Sequence, residues 1–256
     1  MAERREKGSS ITRVLEIIEA VACADQPLSP ADLAEMLDIP KPSIHRLLQQ
    51  LQASGYLQTN MRGNLLPDAR LHKISLGVLY SNRYKMVRKT ILQKLSSEIG
   101  ETCGIAIPDG IEMIYYDRYQ SNWPLQITLP IGTRTPIWCT ASGKLYLSTL
   151  SESRLDRVVE NLSLEQLTRN TITSPAKLKA SLYEIRESGV GIDNEEFIDG
   201  MVACSVPVKD KDGRLLACLF THAPVIRRSL DDLLSHVPAM QEVAQTLSNF
   251  VNEEES

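Results

Sequence analysis

The chain reads as an α+β protein in two parts: a helical N-terminal part carrying a small β-ribbon, and a larger C-terminal part on a mainly antiparallel sheet. Three observations predict this. A short helix, a tight break and a second amphipathic helix fill residues 29–55. From Glu101 onward the pattern changes to longer strand-like runs, joined at Asp109-Gly110 and across residues 209–213. Cations crowd residues 39–90, whereas the remaining chain is acidic.

The N-terminal elements follow in order. Residues 1–9 read as a flexible tail. A helix comes next, with Ile11, Val14, Leu15, Ile18 and Val21 on one face, and it ends before Asp25-Gln26-Pro27. Ser29 is a helix cap, Pro30 suits the first helical position, and Asp32 sits near the positive end of the helix dipole. Leu33, Ala34, Met36 and Leu37 supply that helix's buried side. Asp38-Ile39-Pro40 stops it, and Pro42 fits the first turn of the next. There Ile44, Leu47, Leu48 and Leu51 form one stripe at helical spacing. Residues 55–67 read as two short strands around a turn near Arg62-Gly63, which completes a winged helix-turn-helix.

Two connector helices follow, at 68–81 with Leu71, Ile74, Leu76 and Leu79 among its apolar positions, and at 84–99 ending at Gly100. Residues 103–108, 112–119 and 125–131 read as strands. Helices are expected at 141–150, 152–161 and 175–187, the last with Ser174 as cap, Pro175 in its first turn and Gly189 just past its end. Strands at 201–208 and 214–222 flank the turn, and a helix over 230–251 closes the fold before an acidic end. The expected boundaries are 1–67 for the winged helix, 68–88 for the linker helix region and 89–256 for the second domain.

The face opposite the Ile44–Leu51 stripe points to a partner. It carries Pro42, Arg46, Gln49 and Ala53, flanked by Ser43, His45 and Gln50, with Lys41 at its start. Arg pairs bidentately with guanine and Gln with adenine in the major groove, while Ser and His reach phosphates. An ordinary solvated helix face is the alternative, but such faces commonly carry Asp and Glu, and this one has neither. Asn60 and Arg62 on the wing are expected beside the DNA backbone or minor groove. Residues 39–90 hold nine cations and one acid, a net +8 within a chain of net −4, so the remainder carries −12. A basic segment on an acidic body fits one DNA-facing end.

Composition excludes several classes. No run approaches the roughly 18 apolar residues of a membrane span. The charged N-terminus lacks an apolar signal core, so a cytoplasmic protein is expected. The five cysteines are widely spaced with no Cys-x-x-Cys, which indicates neither zinc nor a disulfide framework. Ser142-Gly143-Lys144 lacks both phosphate-loop spacing and a nucleophile elbow. Cys204, Cys218 and His222 follow no thiol–imidazole spacing rule. No catalytic residue, metal or cofactor is expected.

Several blocks in this order and spacing are specific together: Lys41-Pro-Ser-Ile-His-Arg-Leu-Leu with Gly55-Tyr, the run from Gly132 to Lys144, Asn170-Thr-Ile-Thr, the run from Gly189 to Glu196, and Gly200 through Pro207. On these blocks the chain resembles the IclR family of bacterial transcriptional regulators over nearly its whole length. The resemblance implies a winged helix that binds double-stranded DNA at a pseudo-palindromic operator as a homodimer or tetramer. It implies a linker helix and a GAF-like domain that binds a small effector. Carried over by position, the effector lining would include Ile127, Trp138, Thr140, Ala141, Ser142, Gly143, Asp193, Glu195, Phe220 and His222. The N–H groups of Ala141–Gly143 would open a helix toward a carboxylate, and Asp193 would accept a proton from a ligand hydroxyl or ammonium. His222 would be the pH-sensitive contact.

Two departures bear on the ligand. The family's frequent cysteine position falls on Ala203, and its neighbour Cys204 would face the other side of the strand. Phe220 and His222 stand where the family often has small hydroxyl residues. A carboxylate with a ring or apolar chain is therefore expected rather than a small 2-oxo acid. Core packing is the alternative for Phe220 and Trp138, and turn or cap duty for Asp193 and Glu195. The alternative function is a DNA-binding dimer whose second domain only oligomerises.

Overall fold

A computed structural model describes residues 10–24, 26–79 and 82–252, with side chains given outside 76–84 and 251–252. The expected tail at 1–9, Asp25, the join between the connector helices, the side chains of Leu76 and Leu79, and the last acidic residues lie outside that description. The residues form two compact units that divide after Tyr84.

The first unit contains α1 (Ser10–Cys23), α2 (Pro30–Met36), α3 (Lys41–Ala53), β1 (Leu57–Thr59), β2 (Leu65–Pro67) and α4 (Ala69–Leu79). Ser29 closes a full capping box on α2: its Oγ accepts the Asp32 N–H at 3.2 Å, and Asp32 accepts the Ser29 N–H at 2.8 Å. Those bonds hold the Asp32 carboxyl below its ordinary range. Ile44, Leu47, Leu48 and Leu51 are buried as the stripe requires, against Ile17, Val21, Leu33, Ala34, Ile39, Leu57 and Leu65. Two apolar assignments differ. Ile11 and Leu15 are exposed, and Ile17 is buried instead, because the stripe of α1 that meets the core is Val14, Ile17, Ile18 and Val21. Met36, the last residue of the short α2, is also exposed.

In the second unit, α5 (Asn82–Ile99) precedes β3 (Thr102–Asp109), β4 (Glu112–Tyr119), β5 (Arg134–Pro136), α6 (Ala141–Ser148), α7 (Glu152–Asn161), α8 (Pro175–Ser188), β6 (Gly191–Asn194), β7 (Met201–Lys209), β8 (Leu215–Pro224), α9 (Leu230–Leu234) and α10 (Val237–Asn252). The strands form one antiparallel sheet in the order β5-β4-β3-β8-β7-β6. One face bears α6, with α8 packed on α6 and α7 on α8, and Leu145, Leu155, Leu182 and Ile185 share one buried cluster with Tyr115, Cys218 and Phe220. The other meets α9 and α10, where the Cys204 thiol lies 3.7 Å from Met240 Sδ.

The expected strand at 125–131 does not form. Pro124 and Pro130 bracket it and cannot donate to a ladder. Its carbonyls go to arginines instead: Leu125 O accepts from Arg227 and Leu129 O from Arg118. The edge strand is β5, which pairs with β4. The closing helix is two helices, because Ser229 and Asp232 make a second capping box and α10 starts afresh at Val237-Pro238. β6, four residues opening on Gly191, was not expected. A Cβ at Gly191 would lie 2.1 Å from the Ala141 carbonyl, so only glycine lets α6 press onto this edge.

Candidate functional site

On α3, Lys41, His45, Arg46, Gln49 and Gln50 are exposed and Ser43 is half-buried. Among the described residues none of these side chains makes a hydrogen bond or ion pair, so the fold leaves their donors available. The wing turns on Asn60, whose Oδ1 accepts the N–H of Arg62 at 2.9 Å and of Asn64 at 3.0 Å. Gly63 supplies the left-handed φ of 78° that the turn needs. Asn60 thus shapes the wing through its oxygen, and the tip presents Arg62 and Met61. Two cations of the basic segment are otherwise engaged. Arg70 stacks over Tyr56, while Arg88 belongs to the second unit, where it pairs with Asp117 at 3.1 Å.

The second unit encloses a cavity of about 10 Å³ lined by Tyr115, Thr135, Thr140, Ala141, Ser142, Asp193, Phe197, Met201, Ala203 and Phe220. Of the residues expected there, Thr140, Ala141, Ser142, Asp193 and Phe220 meet at this point. Gly143 does not line it. Its N–H is taken by Thr140 Oγ1 at 3.2 Å, and a Cβ there would lie 2.4 Å from Ile137 Cα, so glycine serves close packing. Trp138 packs on the core beside the cavity with its indole N–H on the Glu165 carbonyl. Ile127 is half-buried in the irregular 120–133 segment. Glu195 has φ 58° and accepts the Gly200 N–H at 2.9 Å, which makes it a turn residue.

Asp193 is buried at the cavity wall. Its Oδ1 accepts the N–H groups of Glu196 at 2.7 Å and Phe197 at 3.3 Å, and its Oδ2 has no partner among the described residues. Burial pushes its carboxyl up to about 7. Thr135 Oγ1 is also buried without a partner. His222 corrects an expectation. Burial and the nearby Arg118 and Arg227 charges push its imidazole down to about 3, so it stays neutral instead of sensing physiological pH.

The sequence blocks around the cavity prove to be its scaffold. Lys144, fully buried, pairs with Glu196. Thr171 Oγ1 donates to the Glu196 carbonyl at 2.6 Å, and Asn170 Nδ2 to the Asn194 carbonyl at 3.0 Å. Tyr115, Thr135, Phe197 and Met201 were not anticipated. Alternation along 112–119 puts Tyr115 on the Met113 face, a signal that was available; Phe197 and Met201 sit at the ends of an irregular loop that carries none.

Comparison with known proteins follows this division. Residues 10–60 match the family profile described as the IclR helix-turn-helix domain, and residues 78–249 match that of the bacterial transcriptional regulator IclR C-terminal. The probable transcriptional regulator SauR of Cupriavidus necator is 34% identical over 242 residues, covering 94% of this chain and 96% of its own. The transcriptional repressor IclR of Escherichia coli is 28% identical over 234 residues, covering 90% and 85%. Among solved structures, a double mutant of the PobR inducer binding domain from Acinetobacter, in complex with 3-hydroxy benzoic acid, is similar with TM-score 0.60 and 27% identity. It covers 65% of this chain and 98% of its own.

Proposed function

The chain belongs to the IclR family of bacterial transcriptional regulators, and we propose that it reads its operator through Arg46, Gln49 and Ser43 under control of a small carboxylate effector. Its helix-turn-helix domain is the DNA-binding part and its C-terminal domain the effector-binding part. The observation that carries the proposal is the outer face of α3: five exposed polar side chains, no acid and, among the described residues, no internal partner. Lys41, His45 and Gln50 flank the base-reading residues toward phosphates, and Arg62 meets the backbone from the wing. The relatives named above are regulators, and the proposal assigns no catalytic residue. It keeps residues 68–88 as a linker between a DNA-binding part at 1–67 and an effector part at 89–256. Among the described residues no helix is long and apolar enough to cross a membrane, in keeping with a cytoplasmic regulator.

A pseudo-palindromic operator needs two winged helices, so the proposal includes a homodimer or a tetramer. Half-sites then lie about 34–36 Å apart or at a multiple of that. The effector is proposed to be a carboxylate bearing a ring. Support comes from the Tyr115–Phe220 ring pair at the cavity, centroids 4.5 Å apart, and from the hydroxybenzoic acid bound by the PobR domain. The cavity is about the size of one water, against the ~10–15 Å³ a water needs. A ring enters only if Phe220 or Phe197 moves, so bound and unbound states differ in packing, which is what lets a ligand shift a two-state equilibrium. The test is selection of a binding sequence from a random duplex library. Arg46→Ala should then weaken binding by about 1–3 kcal/mol and relax preference at one position; unchanged affinity and preference would overturn the docking.

A further inference from the structure

One extra residue decides what faces the interior at the end of β4. Ala106 pairs with Tyr115 but Ile105 pairs with Asp117, so Tyr116 is a bulge. Without it, alternation from Tyr115 would put Asp117 inward. With it, Arg118 pairs with Gly104, which also pairs with Phe220, so Arg118 takes the inner face and Asp117 turns outward to Arg88.

Arg118 is anchored there through Nη1 on the Leu129 carbonyl. Its other two nitrogens, Nε and Nη2, are buried with no hydrogen-bond partner among the described residues, and no carboxylate pairs with it. Those two form the edge whose parallel N–H groups grip a carboxylate side-on. Ser121 Oγ and both His222 ring nitrogens are orphaned as well. They belong to the same corner: the Ser121 N–H bonds Thr102 Oγ1 at 3.3 Å, and Thr102 pairs with His222. Phe220 links this corner to the cavity, lining the cavity while stacking on His222 with centroids 6.0 Å apart. Its ring lies so close over Gly104 that a Cβ there would meet Phe220 Cζ at 2.5 Å. Two buried guanidinium nitrogens left without an acceptor are costly unless an anion completes them.

We infer that the carboxylate of the effector docks on the Nε–Nη2 edge of Arg118, with Ser121 and His222 as supporting contacts, while the ligand's far end reaches Asp193 past a displaced Phe220. This rests on the effector reading above and reverses the ligand's orientation relative to the α6 N-terminus. At α6, Gly143 has already given its N–H to Thr140, and Asp193 shares the space with its free oxygen. An acid there would meet a second carboxyl, whereas a ligand hydroxyl would meet an acceptor.

The test uses calorimetry and thermal shift on the full chain with benzoate, 3-hydroxybenzoate and acetate, and with benzamide as the uncharged control. At least one acid should bind and benzamide should not. Arg118→Gln should weaken that acid by about tenfold or more. Arg118→Lys, which keeps the charge and loses the fork, should weaken it too, and it decides the matter if Arg118→Gln does not fold. Acid binding retained in the Arg118 variants but lost in Ser142→Trp overturns this site and leaves the effector reading standing. A parent that binds none of the acids overturns both.

Discussion

The outer face of α3 takes its proposed DNA-reading side chains from one helix of 13 residues, and among the described residues nothing in the fold uses them. The cavity of the second unit gathers its lining from β4, β5, α6, β6, β7 and β8, and almost every group there also holds the fold. On α3 the apolar stripe supplies stability while the polar face is left for a partner. In the cavity, Thr140 caps a helix, Asp193 closes a turn, and Lys144 with Glu196 ties α6 to the loop after β6. The α3 face can therefore change without cost to the fold, whereas the cavity lining is altered only together with its scaffold.

The largest effect expected from this contrast is on stability. Lys144→Met leaves Glu196 buried without its partner and should destabilise the second unit by about 3–5 kcal/mol. The double variant with Glu196→Leu should recover much of that. Gln49→Ala on α3 should stay within about 0.5 kcal/mol of the parent. Calorimetric melting checks all three, and a Gln49→Ala loss as large as that of Lys144→Met would break the comparison.

A smaller effect separates two interior groups by pH. The Asp193 carboxyl is raised from 3.8 to about 7, so its folded state favours the proton, and stability falls as pH rises through that window. The His222 imidazole is lowered from 6.5 to about 3, so its folded state rejects the proton, and stability is lost as pH falls through that range. Between pH 4 and 6 the two slopes oppose, each at most about 1.4 kcal/mol per pH unit. Asp193→Asn should therefore lose stability on acidification faster than the parent, and His222→Gln should lose it more slowly. Melting temperatures at stepped pH read the sign.

The smallest effect is electrostatic. Arg62→Ala at the wing should weaken all sequences alike and flatten the salt dependence of binding by about one unit of slope. Anisotropy titrations at several salt concentrations measure it. A loss confined to one operator position would make Arg62 a base reader instead.

The same contrast explains what the sequence could tell. Ile44, Leu47, Leu48 and Leu51 announce α3 because helical spacing is local, and the opposite face follows from it. Ser29, Ser174 and Gly189 mark helix ends by local chemistry and do so in the structure. The segment 125–131 misled because its apolar residues look strand-like, while the bracketing prolines and the arginine-bound carbonyls of Leu125 and Leu129 deny it a ladder. Arg118 carries no local signal of its inward placement. The bulge at Tyr116 turns it inward, and a bulge shows itself only in the register between two strands. The family-like blocks pointed to the cavity, yet Gly143, Glu195 and Lys144 in them serve packing, a turn and a buried ion pair.

The most direct test of the account is a crossed measurement on the full chain with a selected operator and 3-hydroxybenzoate. Arg46→Ala should lose operator affinity and bind the acid as the parent does. Ser142→Trp should bind the operator as the parent does and lose the response to the acid. The account is contradicted if Arg46→Ala reads the operator unchanged, or if Ser142→Trp leaves the response to a bound acid intact.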